Sequence, residues 1–268
     1  MITDVLINGE PSDGRIAVTD SSVLRGDGCF EVMKSYGGRP FAVDEHLDRL
    51  QRSADALEIT LPSRGDLVAW IEKVGAELGD GAVRVVVTRG SNVPGLDDPS
   101  NVIVFGHGWE GSDEPSRLLT VEAPWHAAGV TWDLAGAKVT SYAPNMAASR
   151  KAKAEGYDDA LLVTVDGLIL EGPTFSVAWV VDEVLETTSL SLGILDSITR
   201  RKVLEVAADL GVETVEGRWD LSRLQDADEV CAWSTLREVQ VVSQVDHLHF
   251  RPGPVTDRLA TTFRDRVG

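Results

Sequence analysis

Two residues in the middle of the chain have side chains suited to covalent and ring-nitrogen chemistry. Lys138 lies in a short run of small residues just before a predicted helix, and Glu171 ends the apolar segment Leu-Ile-Leu-Glu-Gly. A lysine that forms a Schiff base needs a lowered pKa and a fixed position. A carboxylate placed against a pyridine nitrogen keeps that nitrogen protonated, so that the ring acts as an electron sink. Residue type alone does not distinguish this pair from surface charges, so the surrounding sequence has to carry the argument.

The elements that must position these residues follow from hydrophobic periodicity. The predicted helices begin at an N-cap at Asp44 and cover residues 66–78, 144–155, 197–210 and 255–266. The predicted strands cover residues 5–8, 15–18, 31–36, 82–88, 101–105, 118–123, 160–165, 177–181, 229–233 and 239–245. We therefore expect Lys138 just before a helix and Glu171 at the end of a strand.

Strands and helices are mixed in both halves of the 268-residue chain, which predicts two α/β or α+β domains with a site between them. Residues 106–116 are polar and rich in glycine, which is typical of a linker. We expect a smaller N-terminal α/β domain over residues 1–115, an interdomain linker over 116–128 and a larger C-terminal domain over 129–268.

The charge balance limits the partners. The sequence has 43 acidic and 25 basic residues, which gives a formal net charge of −18. A surface this acidic repels phosphate backbones and anionic membranes, so we expect neither nucleic acid nor a membrane as partner. A local positive pocket for a small anion is compatible with this balance.

The cysteines and histidines indicate neither a disulfide framework nor a metal site. Cys29 and Cys231 are far apart in the sequence, which favours a reducing compartment. The five histidines lack the spacing of metal ligands. The chain begins with acidic residues where a signal peptide would be basic, and no apolar run reaches about 18 residues. We expect a cytoplasmic protein without a bound metal.

Five segments, in order along the chain, resemble the class IV aminotransferases, the fold type IV group of pyridoxal phosphate (PLP) enzymes. The segments are RGDGCFEVMKSYGGRPFAVDEHLDRLQRSA, AKVTSYAPNMAA, LEGPTFSVAWV, GILDSITRRKVLEVA and ADEVCAWSTLREVQVV. The family includes branched-chain aminotransferases, D-amino-acid aminotransferases, (R)-amine transaminases and 4-amino-4-deoxychorismate lyases. The resemblance implies a two-domain, mixed α/β (α+β) fold like that of D-amino-acid aminotransferase, with PLP bound by the larger C-terminal domain.

The resemblance implies roles for three residues around the cofactor ring. Lys138 matches the lysine that forms the Schiff base with PLP and moves the proton between Cα and C4′. Glu171 matches the acid that binds the pyridine nitrogen. Tyr142 resembles the tyrosine that hydrogen-bonds the cofactor O3′, with a spacing from the lysine one residue shorter than in branched-chain enzymes.

The resemblance assigns four more residues to the cofactor phosphate. Arg49, in EHLDRL, matches the arginine that grips the phosphate, and Thr235, in WSTLRE, matches a hydroxyl that binds it. Ile198 and Thr199 match a turn at a helix N-terminus, where backbone N–H groups and the helix dipole favour an anion. Asp196 stands where the family often has proline, and an acid there opposes a phosphate unless it points away.

The substrate pocket departs from the pattern of every subgroup. Residues 91–99 contain no basic residue, whereas the lyases and D-amino-acid enzymes place an arginine in this loop. Arg84 aligns with an inward strand position, and Arg25 lies near the pocket. We expect Arg25 or Arg84, with Arg237 as a third candidate, to hold a substrate carboxylate. The alternative for Arg25 is an ion pair with Asp27 or another acid.

The expected reaction moves an amino group between an amino acid, of branched-chain or D-amino-acid type, and a 2-oxo acid by a ping-pong mechanism. Phe30 and Leu236 are further candidates for lining the substrate pocket. The resemblance implies a homodimer in which the partner chain contributes a loop to the site.

Two other functions stay open. A 4-amino-4-deoxychorismate lyase, which makes 4-aminobenzoate and pyruvate, would use the same lysine to protonate its product. The RGDG segment and the Lys138 segment also resemble sequences of that lyase. A PLP carrier or regulator without enzymatic activity is the third possibility, and the intact Lys138 and Glu171 argue against it.

Overall fold

The structure, a computed structural model, describes residues 2–96, 98–112 and 114–267. The chain divides into two compact units, one formed by Met1–Glu110 with Gly136–Tyr142 and the other by Gly111–Ala135 with Ala143–Gly268. Each unit has its own sheet and its own buried apolar cluster. Both combine helices with strands, as the sequence predicts.

The first unit is built on a single antiparallel sheet. Its strands are β1 (Val5–Ile7), β2 (Glu10–Ser12), β3 (Gly28–Tyr36), β4 (Arg39–Pro40), β5 (Gly81–Thr88) and β6 (Asn101–His107). They are arranged in the order β2-β1-β6-β5-β3-β4. Burial alternates along β3 and β6, because one face of the sheet is covered by helices and the other is only partly covered.

Three helices belong to the first unit: α1 (Ser21–Arg25), α2 (Val43–Ala56) and α3 (Arg64–Leu78). The apolar side of α2 and α3 packs against the covered face of the sheet, where Leu50 and Ile71 join Met33 and Val85 in one buried cluster. Since β3 contributes to this cluster from one face only, its other face stays available for chemistry.

Two local predictions in the first unit are wrong. The predicted strand over residues 15–18 does not form, because no strand among the described residues pairs with it, and Val18 is 73% exposed. Asp44 is not the N-cap of α2, which begins one residue earlier with Ala42 at the cap position in a left-handed conformation (φ 54°). Asp44 lies instead in the first helical turn, where the helix dipole favours a carboxylate.

The second unit is built on a larger sheet of mixed direction. Its strands are β7 (Ser116–Glu122), β8 (Asp159–Val163), β9 (Ser176–Val181), β10 (Val184–Thr188), β11 (Thr214–Gly217), β12 (Glu229–Ser234), β13 (Glu238–Val245) and β14 (Leu248–His249). The order is β11-β10-β9-β12-β13-β7-β8, with β14 paired to β13. The pairs β7–β8, β7–β13 and β10–β11 are parallel, and the others are antiparallel.

The helices of the second unit are α4 (Ala143–Ala154), α5 (Ile198–Asp209) and α6 (Pro254–Val267). All residues of β9 are buried, so this strand is a continuous apolar run and does not alternate. The Trp179 indole within it donates to the Glu186 carboxylate at 2.7 Å, so its polar atom is satisfied inside the core.

The expected linker differs from the observed division of the chain. Ser116–Glu122 is β7, which pairs with β8 on one edge and with β13 on the other. A strand paired on both edges is part of a sheet, so the prediction of a linker over 116–128 is wrong for these residues. Gly136–Tyr142, expected in the C-terminal domain, clusters with the first unit.

Within the described ranges, no helix has both the length and the apolar character that a membrane crossing requires. The same residues contain no group of three or more histidine, cysteine or acidic side chains arranged to hold a metal ion.

Leu50 of α2 is fully buried, so shortening it should destabilise the first unit. We expect Leu50→Ala to lower the free energy of unfolding by about 2–5 kcal/mol, because it removes apolar contacts and leaves a cavity. Chemical denaturation measures the loss. Leu24→Ala, at a position that is 52% exposed, is the control and should change little. Equal losses for both variants would contradict the packing described above.

Candidate active site

Lys138 is held to the first unit through its main chain. Its C=O accepts from the N–H of Phe30 at 3.0 Å, and the N–H of Thr140 donates to the C=O of Gly28 at 2.8 Å. On the other side, the N–H of Lys138 donates to the Oγ of Ser53 at 3.0 Å. Because β3 and α2 each bind one side of this residue, the direction of its side chain is set by both.

The side chain of Lys138 lies between two aromatic rings. Its Nζ is 4.3 Å from the centre of the Phe30 ring and donates to the Tyr142 hydroxyl at 3.4 Å. The two rings meet edge to face with their centres 5.3 Å apart. The structure therefore brings together Lys138, Tyr142 and Phe30, which the sequence assigned to lysine, cofactor and substrate roles.

Arg84 shares a sheet face with the ring beneath the lysine. Arg84 is opposite Val32 in the pairing of β3 and β5, and Val32 is two residues from Phe30, so the three side chains are on one face. The Nε of Arg84 donates to the Nε2 of His107 at 3.0 Å, and burial lowers the pKa of the guanidinium. A partly buried cation thus lies on the face where the amino group of Lys138 is found.

The opposite face of β3 carries a buried carboxylate. Glu31 accepts from the Nε of Arg49 at 2.6 Å and from its Nη2 at 2.7 Å, and the Nδ1 of His46 is 2.7 Å from the same carboxylate. All three residues are at most 4% exposed. Burial alone would raise the pKa of Glu31, but Arg49 and His46 outweigh it and hold the pKa well below its usual range. Arg49, expected at the cofactor phosphate, therefore directs two of its donors to Glu31.

Arg25 ends α1 and is exposed. The expected alternative, an ion pair with Asp27, is wrong, because the Nε of Arg89 donates to the Asp27 carboxylate at 2.5 Å. No acid among the described residues pairs with Arg25. Arg89 also donates to the C=O of Leu57. The sequence analysis missed Arg89, whose only local signal is its place directly after β5.

Glu171 has a fixed carboxylate in the second unit. Both of its oxygens lie within hydrogen-bond distance of the Leu195 N–H, at 3.2 and 3.3 Å, and its C=O accepts from the N–H of Leu162 at 2.9 Å. The next residue, Gly172, lies so close to the ring of Phe175 that a Cβ there would be 2.1 Å from it. Only glycine fits, and this fixes the backbone beside the carboxylate.

The N-terminus of α5 offers backbone N–H groups. The Ser197 hydroxyl caps the helix by accepting from the N–H of Arg200 at 3.3 Å. Ile198 and Thr199 are each 2% exposed, and within the described residues their N–H groups have no acceptor. Such groups at a helix N-terminus favour an anion.

Asp196, the acid that precedes this turn, faces a positive charge. Its carboxylate is 3.2 Å from the Nε of Arg201, which lies in the first part of α5. The departure from the family pattern at Asp196 is thus accompanied by a cation that reduces its repulsion of an anion.

Thr235 and Leu236 lie in the turn between β12 and β13 and are half-buried. The next residue, Arg237, donates to the Asp159 carboxylate at 2.6 Å and stacks over Phe175 with its Cζ 4.6 Å from the ring centre. Asp159 is 5% exposed, so the Arg237 guanidinium anchors the turn to the core of the second unit. This engagement weakens the case for Arg237 as a substrate carboxylate ligand.

The expected site residues are shared between the two units. The first unit holds Arg25, Phe30, Arg49, Arg84, Lys138 and Tyr142, and the second holds Glu171, Ile198, Thr199, Thr235, Leu236 and Arg237.

The sequence matches a known family and named relatives. The amino-transferase class IV family model matches residues 28–245. The chain is 30% identical to a putative branched-chain-amino-acid aminotransferase of Methanocaldococcus jannaschii, over 97% of this chain and 95% of that protein. It is 26% identical to the aminodeoxychorismate lyase of Bacillus subtilis, over 98% and 94%. It is 28% identical to the D-alanine aminotransferase of Listeria innocua, over 100% and 95%.

Solved structures share the fold over nearly the whole chain. A fold IV transaminase from Curtobacterium pusillum is 28% identical, with a TM-score of 0.84 over 96% of this chain and 92% of that chain. A hypothetical aminotransferase from Mycobacterium tuberculosis, in a PLP-bound form, is 25% identical, with a TM-score of 0.91 over 99% of both chains. The predicted fold class is confirmed.

Glu31 tests the importance of the buried cluster. We expect Glu31→Gln to lower the free energy of unfolding at pH 7 by about 3–5 kcal/mol, because it leaves the Arg49 charge buried without its carboxylate. The folded pKa of Glu31 lies below its ordinary value of 4.5, so this stabilisation is present above about pH 4.5 and is lost as the pH falls further. Denaturation at neutral and acidic pH measures both effects.

Asp44→Asn is the matched control, because Asp44 pairs with Arg64 at the surface, where their side chains are 79% and 47% exposed. It should cost less than about 1 kcal/mol. A loss as small for Glu31→Gln, or a difference from the wild type that does not shrink below pH 4.5, would contradict the assignment.

Proposed function

Because this chain belongs to the class IV aminotransferase family and is a PLP-dependent enzyme, we propose that it moves an amino group between a branched-chain or D-amino acid and a 2-oxo acid. The observation that carries the proposal is the amino group of Lys138. It is held over the Phe30 ring and beside the Tyr142 hydroxyl by a main chain that is hydrogen-bonded on both sides.

The residues present fit the chemical groups of PLP. We assign the covalent bond to the Lys138 amine and the ring nitrogen to the Glu171 carboxylate, whose oxygens accept from a backbone N–H. We assign the phosphate to the N–H groups of Ile198 and Thr199 at the N-terminus of α5. The buried helix end and the two N–H groups without an acceptor among the described residues support this last assignment.

Three further residues complete the proposed cofactor site. The Thr235 hydroxyl adds a donor for the phosphate from the turn that Arg237 anchors. Arg49 contributes a positive charge whose position is set by Glu31. Tyr142, already within hydrogen-bond distance of the lysine, is assigned to the O3′ of the ring.

The residues around Lys138 suit it to proton transfer. PLP, when bound, supplies a conjugated ring that takes up the electron pair left on the substrate Cα. We assign to the Nζ of Lys138 the removal and return of the Cα proton. The face of the Phe30 ring stabilises the protonated amine, and the Tyr142 hydroxyl orients it.

Aminodeoxychorismate lyase remains the second candidate, because the lyase of Bacillus subtilis aligns over 98% of this chain. The same lysine and phosphate site would serve it. What separates the two reactions is the substrate whose carboxylate the arginines hold.

We also propose a homodimer in the cytoplasm. Val23 and Leu24 are each 52% exposed, and apolar side chains at the surface are of the kind that subunit interfaces cover. Both cysteines are free and buried, which fits a reducing compartment.

The reaction can be tested by mixing the purified protein and PLP with amino acids of both hands. We expect a branched-chain or D-amino acid to convert the bound cofactor to pyridoxamine phosphate, followed by its absorbance. Lys138→Ala should abolish the conversion and the absorbance of the lysine-bound cofactor. No conversion with any amino acid, together with release of pyruvate from 4-amino-4-deoxychorismate, would establish the lyase instead.

The carboxylate ligand can be tested with Arg84→Ala and Arg25→Ala in the same half-reaction. Removing the arginine that binds the substrate carboxylate should lower kcat/KM by about ten- to a hundredfold, because a hydrogen bond between charged groups is lost. Arg15→Ala is the control, since that side chain is 87% exposed and faces Asp13. Unchanged rates for both Arg84→Ala and Arg25→Ala would exclude these two residues.

A further inference from the structure

Ser53 lies where helix α2 meets the segment that carries the lysine. Its Oγ accepts from the N–H of Lys138 at 3.0 Å and donates to the C=O of Arg49, one helical turn earlier, also at 3.0 Å. Ser53 is 1% exposed, so both hydrogen bonds are shielded from water. One buried hydroxyl thus connects two residues that are separated by most of the N-terminal half of the chain.

The hydroxyl closes a ring of contacts. The Arg49 guanidinium binds Glu31 in β3, and its C=O accepts from Ser53. Ser53 accepts from the Lys138 N–H, and the Lys138 C=O accepts from Phe30, the residue before Glu31. Every member of the ring is attached to β3 or α2, so the ring transmits the rigidity of both elements to the lysine.

We propose that Ser53 is a positioning residue that sets the orientation of the Lys138 side chain toward the cofactor. The proposal rests on the function proposed above for Lys138. With the C=O bound by Phe30 and the N–H bound by Ser53, the Cα–Cβ bond of Lys138 points in one direction, and the amino group stays over the Phe30 ring. Without Ser53 the residue is held from one side only.

A buried serine of the same unit provides a matched control. Ser35 in β3 is also 1% exposed, and its Oγ has no hydrogen-bond partner among the described residues. Ser35→Ala therefore removes a hydroxyl from the same core without removing a hydrogen bond. Ser53→Ala removes both, and alanine is the more favourable residue in a helix, so α2 should form normally.

The experiment measures the apoprotein and the addition of PLP separately. Hydrogen exchange of the apoprotein reports on the Lys138 N–H, which should exchange faster in Ser53→Ala than in the wild type. After PLP is added, the absorbance of the lysine-bound cofactor should appear about three- to tenfold more slowly, as expected from the loss of one hydrogen bond. Ser35→Ala should match the wild type in both measurements.

Three results would overturn the proposal: an unchanged rate of PLP attachment in Ser53→Ala, a Ser35→Ala rate slowed equally, or unchanged exchange at Lys138. Should Ser53→Ala not fold, Ser53→Cys takes its place, because sulfur nearly preserves the volume and is a weaker acceptor. An unchanged attachment rate there also overturns the proposal. If the wild-type protein never attaches PLP, the proposed function fails, and hydrogen exchange alone decides whether Ser53 holds Lys138.

Discussion

A carboxylate buried at the centre of the first unit constrains everything around it. Glu31 can stay ionised without water only if positive charge and hydrogen-bond donors surround it, and α2 supplies both through Arg49 and His46. The cluster fixes α2 against β3, and with it the position of Ser53. The lysine segment then binds to β3 on one side and to Ser53 on the other.

The same strand separates structural from chemical side chains. Side chains on the Glu31 face of β3 are buried beneath the helices, whereas Phe30 and the paired strand's Arg84 are on the opposite face, where the Lys138 amino group lies. Because successive residues of a strand point to opposite faces, neighbours in sequence take unrelated roles. Glu31 holds the framework, and Phe30 faces the reactive amine.

The acidic composition also acquires a structural meaning. Many arginines are held by acids, as Arg89 is by Asp27, Arg223 by Glu186 and Arg237 by Asp159. A net charge of −18 therefore coexists with a local anion site at the N-terminus of α5, because that site relies on backbone N–H groups.

The sequence by itself determined the main helices, most strands, the family and the positions of Lys138 and Glu171. These depend on periodicity and on local motifs, which neighbouring residues carry. It missed β10 and β11, whose threonines and glutamates do not form an apolar pattern and which form strands by pairing within the sheet. The predicted linker failed for the same reason, since β7 is defined by its partners.

Only the tertiary structure decided which charges meet. The choice of Arg89 over Arg25 as the partner of Asp27, the binding of Arg237 to Asp159, and the contact of Ser53 with Lys138 all join residues far apart in sequence. A short-range pattern contains no record of such distances. Contacts of this kind arise from the packing of strands and helices, because packing determines which buried polar groups are close enough to satisfy one another.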